Sequence, residues 1–229
     1  MKITNVLVNG GYGKLGKILV EAIENSDRFN LVGIGTRSTK LSTLINSTGA
    51  EIVVDTTNAG VAFENAKEII NCGCSPLIAS SGVDSSCYEA LYNLSLAKNR
   101  SGVIAPNLSI TSLVSQKIYK AIGRYFDSAE VIEHHHNTKL DSPSGTAIKT
   151  KELLSNGIDL EKISIHSIRS NGVIANQDVL LCSKDETLTI SHHTMSRDCY
   201  GLGLIMACDY IVEGNDLIYG LESLIKLDS

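Results

Sequence analysis

Between Ile3 and Ala105, short apolar runs alternate with stretches of helical periodicity. The runs are residues 3–8, 31–34, 52–54, 77–79 and 103–105, and helix-like segments fall at 14–25, 63–72 and 88–98. This rhythm predicts parallel strands with helices packed on the sheet faces, and the right-handed crossover rule makes it a Rossmann-like domain. The link between the second and third runs, residues 37–51, is short. It holds about two turns of helix near 41–45 at about 3.6 residues per turn, so this crossover reads as trimmed.

After Pro106 the pattern changes. A helix-like stretch at 113–125 precedes an extended run at 129–135, a polar loop and a helix near 146–154. Three further extended runs, 163–169, 179–182 and 187–191, are separated by the turn-rich Ser170-Asn171-Gly172 and Ser183-Lys184-Asp185, which predicts a mixed or antiparallel sheet. Residues 200–210 suit a buried helix broken by Gly214-Asn215-Asp216, and the last residues are expected to return to the first domain. The expected fold is α/β: a Rossmann-like parallel-sheet domain (1–106 and 198–229) plus an α+β mixed-sheet domain (107–197).

Composition narrows the class. The 229 residues are 43% hydrophobic and 20% charged, the balance of a soluble globular chain long enough to bury a core without disulfides or metals. No apolar run approaches the roughly 18 residues of a membrane span, and the opening MKITNVLVNGG is too short in apolar residues for a secretory signal. A net charge of −5 with scattered basic residues argues against nucleic acid as a partner, which demands a concentrated basic surface. Cys72, Cys74, Cys87, Cys182, Cys199 and Cys208 form no CxxC pair. They are expected as free thiols in a reducing cytoplasm.

The first apolar run leads into Gly11-Tyr12-Gly13-Lys14-Leu15-Gly16, a GxGxxG placed between a strand and a helix, the context that gives it meaning. Its glycines permit the tight turn, the approach of a pyrophosphate to the backbone and the packing of helix on strand. The phosphates would rest on the unpaired N–H groups of the helix beginning near Lys14. At the end of the second strand, where a carboxylate would bind the ribose of NAD, the chain reads Gly35-Thr36-Arg37-Ser38. Arg37 with Lys14 could pair the 2′-phosphate of NADPH, so NADPH is expected to be preferred over NADH. In the competing reading Arg37 is a solvated loop charge and Thr36 bonds a ribose hydroxyl.

Chemistry concentrates in residues 133–147, EHHHNTKLDSPSGTA. On an extended run His134 and His136 share one face and His135 the other. Lys139 follows in a loop, and Ser144, Gly145 and Thr146 open a helix whose hydroxyls and free N–H groups form a receptor for a carboxylate. Imidazole and ammonium are the groups that proton transfer to an anionic substrate would use.

This segment resembles the 4-hydroxy-tetrahydrodipicolinate (dihydrodipicolinate) reductase family, whose pattern is E-x-H-H-x-x-K-x-D-x-P-S-G-T-A. Glu133, His135, His136, Lys139, Asp141, Pro143, Ser144, Gly145, Thr146 and Ala147 match every fixed position. The resemblance extends to the glycine loop, Ala105-Pro106-Asn107, Ser196-Arg197 and Leu217-Ile218-Tyr219. It implies NAD(P)H-dependent reduction of a small dicarboxylate in the diaminopimelate route to lysine, by a homotetramer whose second domain binds substrate and oligomerises. It also implies His135 and Lys139 as catalytic groups and His136, Ser144, Gly145 and Thr146 as substrate-binding. Gly10, Gly11, Tyr12, Gly13, Lys14 and Leu15 would follow the pyrophosphate and Arg37 the adenosine end. Ala79, Ser80, Ser81, Ala105, Pro106, Asn107 and Leu108 complete the implied cofactor contacts. The chain departs from the family in having Ala79-Ser80-Ser81-Gly82 for G-T-T-G, Lys14 and Leu15 for arginine and methionine, Thr36 for an acid, and Asn107-Leu108-Ser109 for Asn-Phe-Ser. These swaps bear on cofactor choice more than on the reaction.

Blander readings compete at several positions. The histidines suggest zinc, but His134 and His135 diverge on a strand and no ligand spacing accompanies them, so no metal is expected. His134 reads as an ordinary strand residue, His192 as support for the pocket, His193 as solvent-facing and Arg197 as an ion-pair partner. A different nicotinamide-dependent dehydrogenase would have no use for the 133–147 segment. A non-catalytic dinucleotide sensor would have no use for His135 and Lys139.

Overall fold

The computed structural model describes residues 3–80 and 82–227, which form two compact units. The first comprises the described residues up to Ile110 together with Asp198–Leu224. The second comprises Thr111–Arg197 with the residues from Ile225 onward.

In the first unit the chain runs β1 (Thr4–Asn9), α1 (Lys14–Glu24), β2 (Phe29–Gly35), α2 (Leu41–Thr48), β3 (Ile52–Asp55), α3 (Ala62–Asn71), β4 (Ser75–Ile78), α4 (Ser85–Lys98) and β5 (Gly102–Ile104). It closes with α7 (Tyr200–Glu213) and β10 (Leu217–Tyr219). The six strands form one parallel sheet in the order β10-β5-β4-β3-β1-β2. Val6, Leu7, Val8, Val53 and Val54 are wholly buried, the near-continuous apolar pattern of strands covered on both faces. The helices bury one stripe each: Gly16, Leu19 and Ile23 on α1, and Ala62, Ala66, Ile69 and Ile70 on α3.

The short link after β2 has a topological consequence. Helix α2 has eight residues and stops at Gly49, which takes the left-handed conformation (φ 65°). The chain then returns directly to the far side of β1 as β3, leaving β2 at the edge of the sheet. Loops leaving β1 and β3 therefore diverge, and the crevice they open at the carboxyl ends of the strands is where open α/β sheets bind ligands. Helix α4 begins three residues before the predicted start because Asp84 caps it, accepting from the Cys87 N–H at 2.8 Å.

In the second unit, α5 (Ile110–Ile122) leads to β6 (Ser128–His136), α6 (Gly145–Leu154), β7 (Ile163–Ser170), β8 (Ala175–Cys182) and β9 (Thr187–His193). The sheet order is β7-β6-β8-β9, with β6 and β7 parallel and the other pairs antiparallel. Ala129, Val131, Ile163, Val179, Leu181, Ala147 and Leu154 share a core with Tyr119. The Ser170-Asn171-Gly172 turn does not make a hairpin: β6 lies between β7 and β8, so residues 171–174 step across its carboxyl end. Strand β8 also starts four residues before its apolar run, because His135 pairs with Ala175 and the polar end of β6 takes its backbone partners there.

Candidate active site

In the first unit, the carboxyl ends of β1, β2 and β3 surround a groove of about 700 Å³. Gly10 takes φ 83° where the chain leaves β1. A side chain at Gly11 would press on Ile34, and one at Gly16 would collide with the backbone of Gly10 and Gly11. Gly13 caps α1 without a side-chain acceptor, and the first turn carries no acidic residue, so its N–H groups are presented to an anion.

Asn9 and Asp55 knit this edge together. The buried Asp55 carboxylate accepts from Asn9 Nδ2 (2.8 Å), Asn65 Nδ2 (2.9 Å) and Thr57 Oγ1 (2.9 Å). Burial raises its pKa, and these hydrogen bonds oppose the rise. Asn9 fits because residue 35 is glycine: a Cβ there would strike its amide.

Arg37 lines the groove with Thr36, Thr39 and Lys40. The Thr36 hydroxyl lies 2.9 Å from both Ser38 Oγ and Thr39 Oγ1. One carboxylate, Glu68, also faces the groove but accepts from the Ser42 N–H at 2.8 Å. Lys14 is exposed at the first position of α1 and does not line the groove. Lys40, at the N-cap of α2, takes that place beside Arg37. Ala79 and Ala105 continue the same strand ends, with Ala79 N–H on Asp55 O and Ala105 N–H on Ile78 O. The Ser80 hydroxyl is shielded from solvent with no partner among the described residues, and Ser81 lies outside them. Pro106 is exposed, Asn107 Oδ1 accepts from the Ser109 N–H, and Leu108 is buried with its carbonyl against Gly203. A glycine cradle, an uncapped helix start and an unpaired hydroxyl fit a dinucleotide.

In the second unit the face of β6 that bears Ala129 and Val131 continues as Glu133 and His135, so the strand carries one stripe from core into site. Register places Ser167, Glu133, Gln177 and His192 in one row across the four strands, with Arg169 and Ala175 flanking His135 in the next. Gln177 donates to Thr150 of α6 at 2.9 Å. Burial lowers the pKa of His192, as does the charge of His193.

Glu133 is 0% exposed. Arg169 grips it in a fork, Nη1 to Oε2 at 3.0 Å and Nη2 to Oε1 at 2.8 Å, while the Ser144 N–H donates to Oε1 at 3.2 Å. His135 Nδ1 hydrogen-bonds Oε2. Burial pushes the carboxyl upward, but the bonds from Arg169, Ser167 and His135 prevail and hold it below the usual range. A carboxylate only accepts, so the ring donates from Nδ1. The imidazole itself is lowered, chiefly by burial and further by Lys139 and Arg169, with Glu133 pulling the other way.

Lys139 Nζ sits 2.8 Å from Asp141 Oδ1, and this ion pair holds Asp141 below the usual carboxylate range. Arg169 Nη2 also donates to the Asp141 carbonyl at 2.7 Å. Ser144 is buried and caps α6, its hydroxyl accepting from the Ala147 N–H at 3.2 Å. That leaves the Gly145 and Thr146 N–H groups without acceptors in the helix. No heavy atom lies within 4 Å of where a Cβ on Gly145 would stand, so packing does not demand glycine there. His136 Nδ1 lies 2.7 Å from Thr138 Oγ1, and His134, on the other face from His135, meets Ser170 Oγ at 2.6 Å. Among the described residues no three His, Cys, Asp or Glu side chains group as a metal ion requires.

Three of these groups escape a reading of the sequence. Arg169 meets Glu133 only through the parallel β6–β7 register, and Asp55 and Lys40 through the order of β1, β2 and β3. Nothing in their local sequence marks them.

Residues 4–108 match the model of the dihydrodipicolinate reductase N-terminus, and residues 109–225 that of its C-terminus. The chain belongs to the dihydrodipicolinate reductase family. It is 37% identical over 241 aligned positions to 4-hydroxy-tetrahydrodipicolinate reductase of Legionella pneumophila (strain Philadelphia 1), covering 97% of this chain and 99% of that protein. To the Coxiella burnetii (strain Dugway 5J108-111) protein of the same name it is 36% identical over 236 positions, covering 96% and 99%. In fold it is similar to the dipicolinate-bound dihydrodipicolinate reductase from Paenisporosarcina sp. TG-14, with a TM-score of 0.87 at 23% identity over 98% of this chain and 100% of that one. The reductase fold is thus the expected Rossmann-like sheet plus a separate mixed sheet, and no helix among the described residues is long and apolar enough to cross a membrane.

Proposed function

We propose that this chain catalyses the NAD(P)H-dependent reduction of 4-hydroxy-tetrahydrodipicolinate to tetrahydrodipicolinate with loss of water, a step of the diaminopimelate route to lysine. The observation that carries this reading is the second-unit cluster: His135 anchored on buried Glu133, Lys139 paired with Asp141, and the vacant Gly145 and Thr146 N–H groups at the start of α6.

A bound nicotinamide supplies hydride; the other requirements fall to the chain. A cyclic dicarboxylate needs donors at its carboxylates, and the α6 N-terminus offers two N–H groups with open space above Gly145. The Thr146 hydroxyl adds a donor at the same end, and the family resemblance implies His136 as a further carboxylate contact. Loss of water and reduction of the conjugated ring require proton delivery, which His135 provides from Nε2 and Lys139 from its ammonium. A cation beside the ring also stabilises negative charge developing there.

On the cofactor side, Gly10, Gly11, Tyr12, Gly13 and Leu15 hold the pyrophosphate. Ser80, Ser81, Ala105, Pro106 and Asn107 attend the nicotinamide end, and Leu108 supports that loop from the core. Arg37 with Lys40, backed by the Thr36, Ser38 and Thr39 hydroxyls, favours the 2′-phosphate, so NADPH is preferred to NADH. The enzyme acts in the cytoplasm as a homotetramer, as its family resemblance implies.

Substitution of the two acids tests the reading. His135→Gln and Lys139→Ala are each expected to lower kcat by about 10²–10⁴-fold, the range of positioned acid–base catalysis, while NADPH still binds. Undiminished turnover in both variants overturns it.

A further inference from the structure

Arg169 and Glu133 form a unit that the chemistry described above does not use directly. Glu133 is fully buried, yet its partners include His135 and the helix start at Ser144. Its Oε2 receives His135 Nδ1, its Oε1 receives the N–H of Ser144 where α6 begins, and Arg169 clamps both oxygens. The Arg169 guanidinium then reaches the Asp141 carbonyl, and the Asp141 side chain holds Lys139. One ion pair thus touches the imidazole, the anion-receiving helix start and the lysine loop.

We propose that Glu133, clamped by Arg169, is the positioning residue of the reaction: it fixes His135 as the Nδ1–H tautomer with Nε2 toward the substrate. The proposal rests on the reading of His135 as a proton donor. The physical need is plain. Burial strips an imidazole of proton affinity, and the charged groups facing His135 besides Glu133 are Lys139 and Arg169, both cations. Neighbouring strand β8 presents Ala175 and Gln177, α6 presents Ser144 and Thr150, and the remaining titratable group in the row is His192 on β9. Glu133 is therefore the group that pulls the ring toward its protonated form, against burial and the two cations. A buried carboxylate unpaired would itself take up that proton, and Arg169 prevents this with a bidentate, charge-assisted contact.

Glu133→Gln tests the assignment because it nearly preserves shape while removing the charge and exchanging one acceptor oxygen for an amide donor. The variant is expected to bind NADPH and dipicolinate within a few-fold of the unaltered enzyme. Its kcat should fall at least about 10-fold, and the limb of kcat/KM that falls with rising pH should move to lower pH, because His135 then loses its proton earlier. Arg169→Lys, which keeps the charge but not the fork, should retain more activity than Arg169→Ala. An unchanged pH profile and kcat in Glu133→Gln, with His135→Gln inactive, overturns the positioning role and leaves the His135 reading intact. Full activity in His135→Gln removes the reading on which it rests. Should Glu133→Gln not fold, nitrogen NMR of His135 in the unaltered protein decides: the Nδ1–H tautomer supports the proposal and the Nε2–H tautomer refutes it.

Discussion

At the scale of single residues, charge placement governs both halves of the chemistry. Arg37 and Lys40 are the basic side chains lining the groove of the first unit, set beside the Thr36, Ser38 and Thr39 hydroxyls, with Glu68 already engaged by the Ser42 N–H. Arg37→Ala should therefore raise KM for NADPH by about 10-fold or more, as loss of a charge-assisted contact worth about 1.5–3 kcal/mol implies. KM for NADH should change little. Steady-state kinetics with each cofactor checks this, and equal losses for both would show that Arg37 does not read the phosphate. Arg37 was legible because it follows the second strand. Lys40 was not, since only the turn into α2 brings it alongside, while Lys14, nearer the glycines in sequence, is exposed and does not line the groove.

At the scale of elements, β6 and α6 explain how a core becomes a site. The same face of β6 is apolar at Ala129 and Val131 and polar at Glu133 and His135, so alternation persists while chemistry changes along the strand. The apolar runs predicted β6, β7 and β9 to within a residue or two at most ends. They missed the start of β8, because its polar Asn176-Gln177-Asp178 stretch pairs with the functional end of β6 and offers no hydrophobic period to read. Sequence-local turn chemistry also suggested no crossing at 171–174, since strand order is a tertiary property. Helix α6 carries its own test. Gly145 has open space where a side chain would stand, so Gly145→Ala should fold with stability unchanged or raised by up to about 1 kcal/mol. Its added methyl would sit beside the N–H groups proposed to receive a carboxylate, and KM for the substrate should rise at least several-fold. Thermal unfolding and substrate titration together check this; unaltered KM would place the carboxylate elsewhere.

At the scale of the whole molecule, the chain assigns different tasks to two differently built units. The parallel sheet supplies glycine turns, a switch point between β1 and β3, and helix N-termini for a dinucleotide. The mixed sheet supplies a buried ion pair and the imidazole to which we assign proton delivery. The alternation of runs and helices up to Ala105 made the first unit readable, including its short crossover, because parallel strands buried on both faces leave continuous apolar runs. The second unit was readable chiefly through residues 133–147, whose side chains cluster by local sequence; Arg169, which completes the cluster, comes from a separate strand. The reaction draws on both units, so its occurrence is the most direct test of the account. The substrate is unstable and is best generated in place from pyruvate and aspartate semialdehyde with a synthase, while the loss of reduced nicotinamide absorbance is followed. Oxidation that depends on the synthase, and proceeds faster with NADPH than with NADH, is the predicted result. A folded protein that oxidises neither cofactor under these conditions would contradict it.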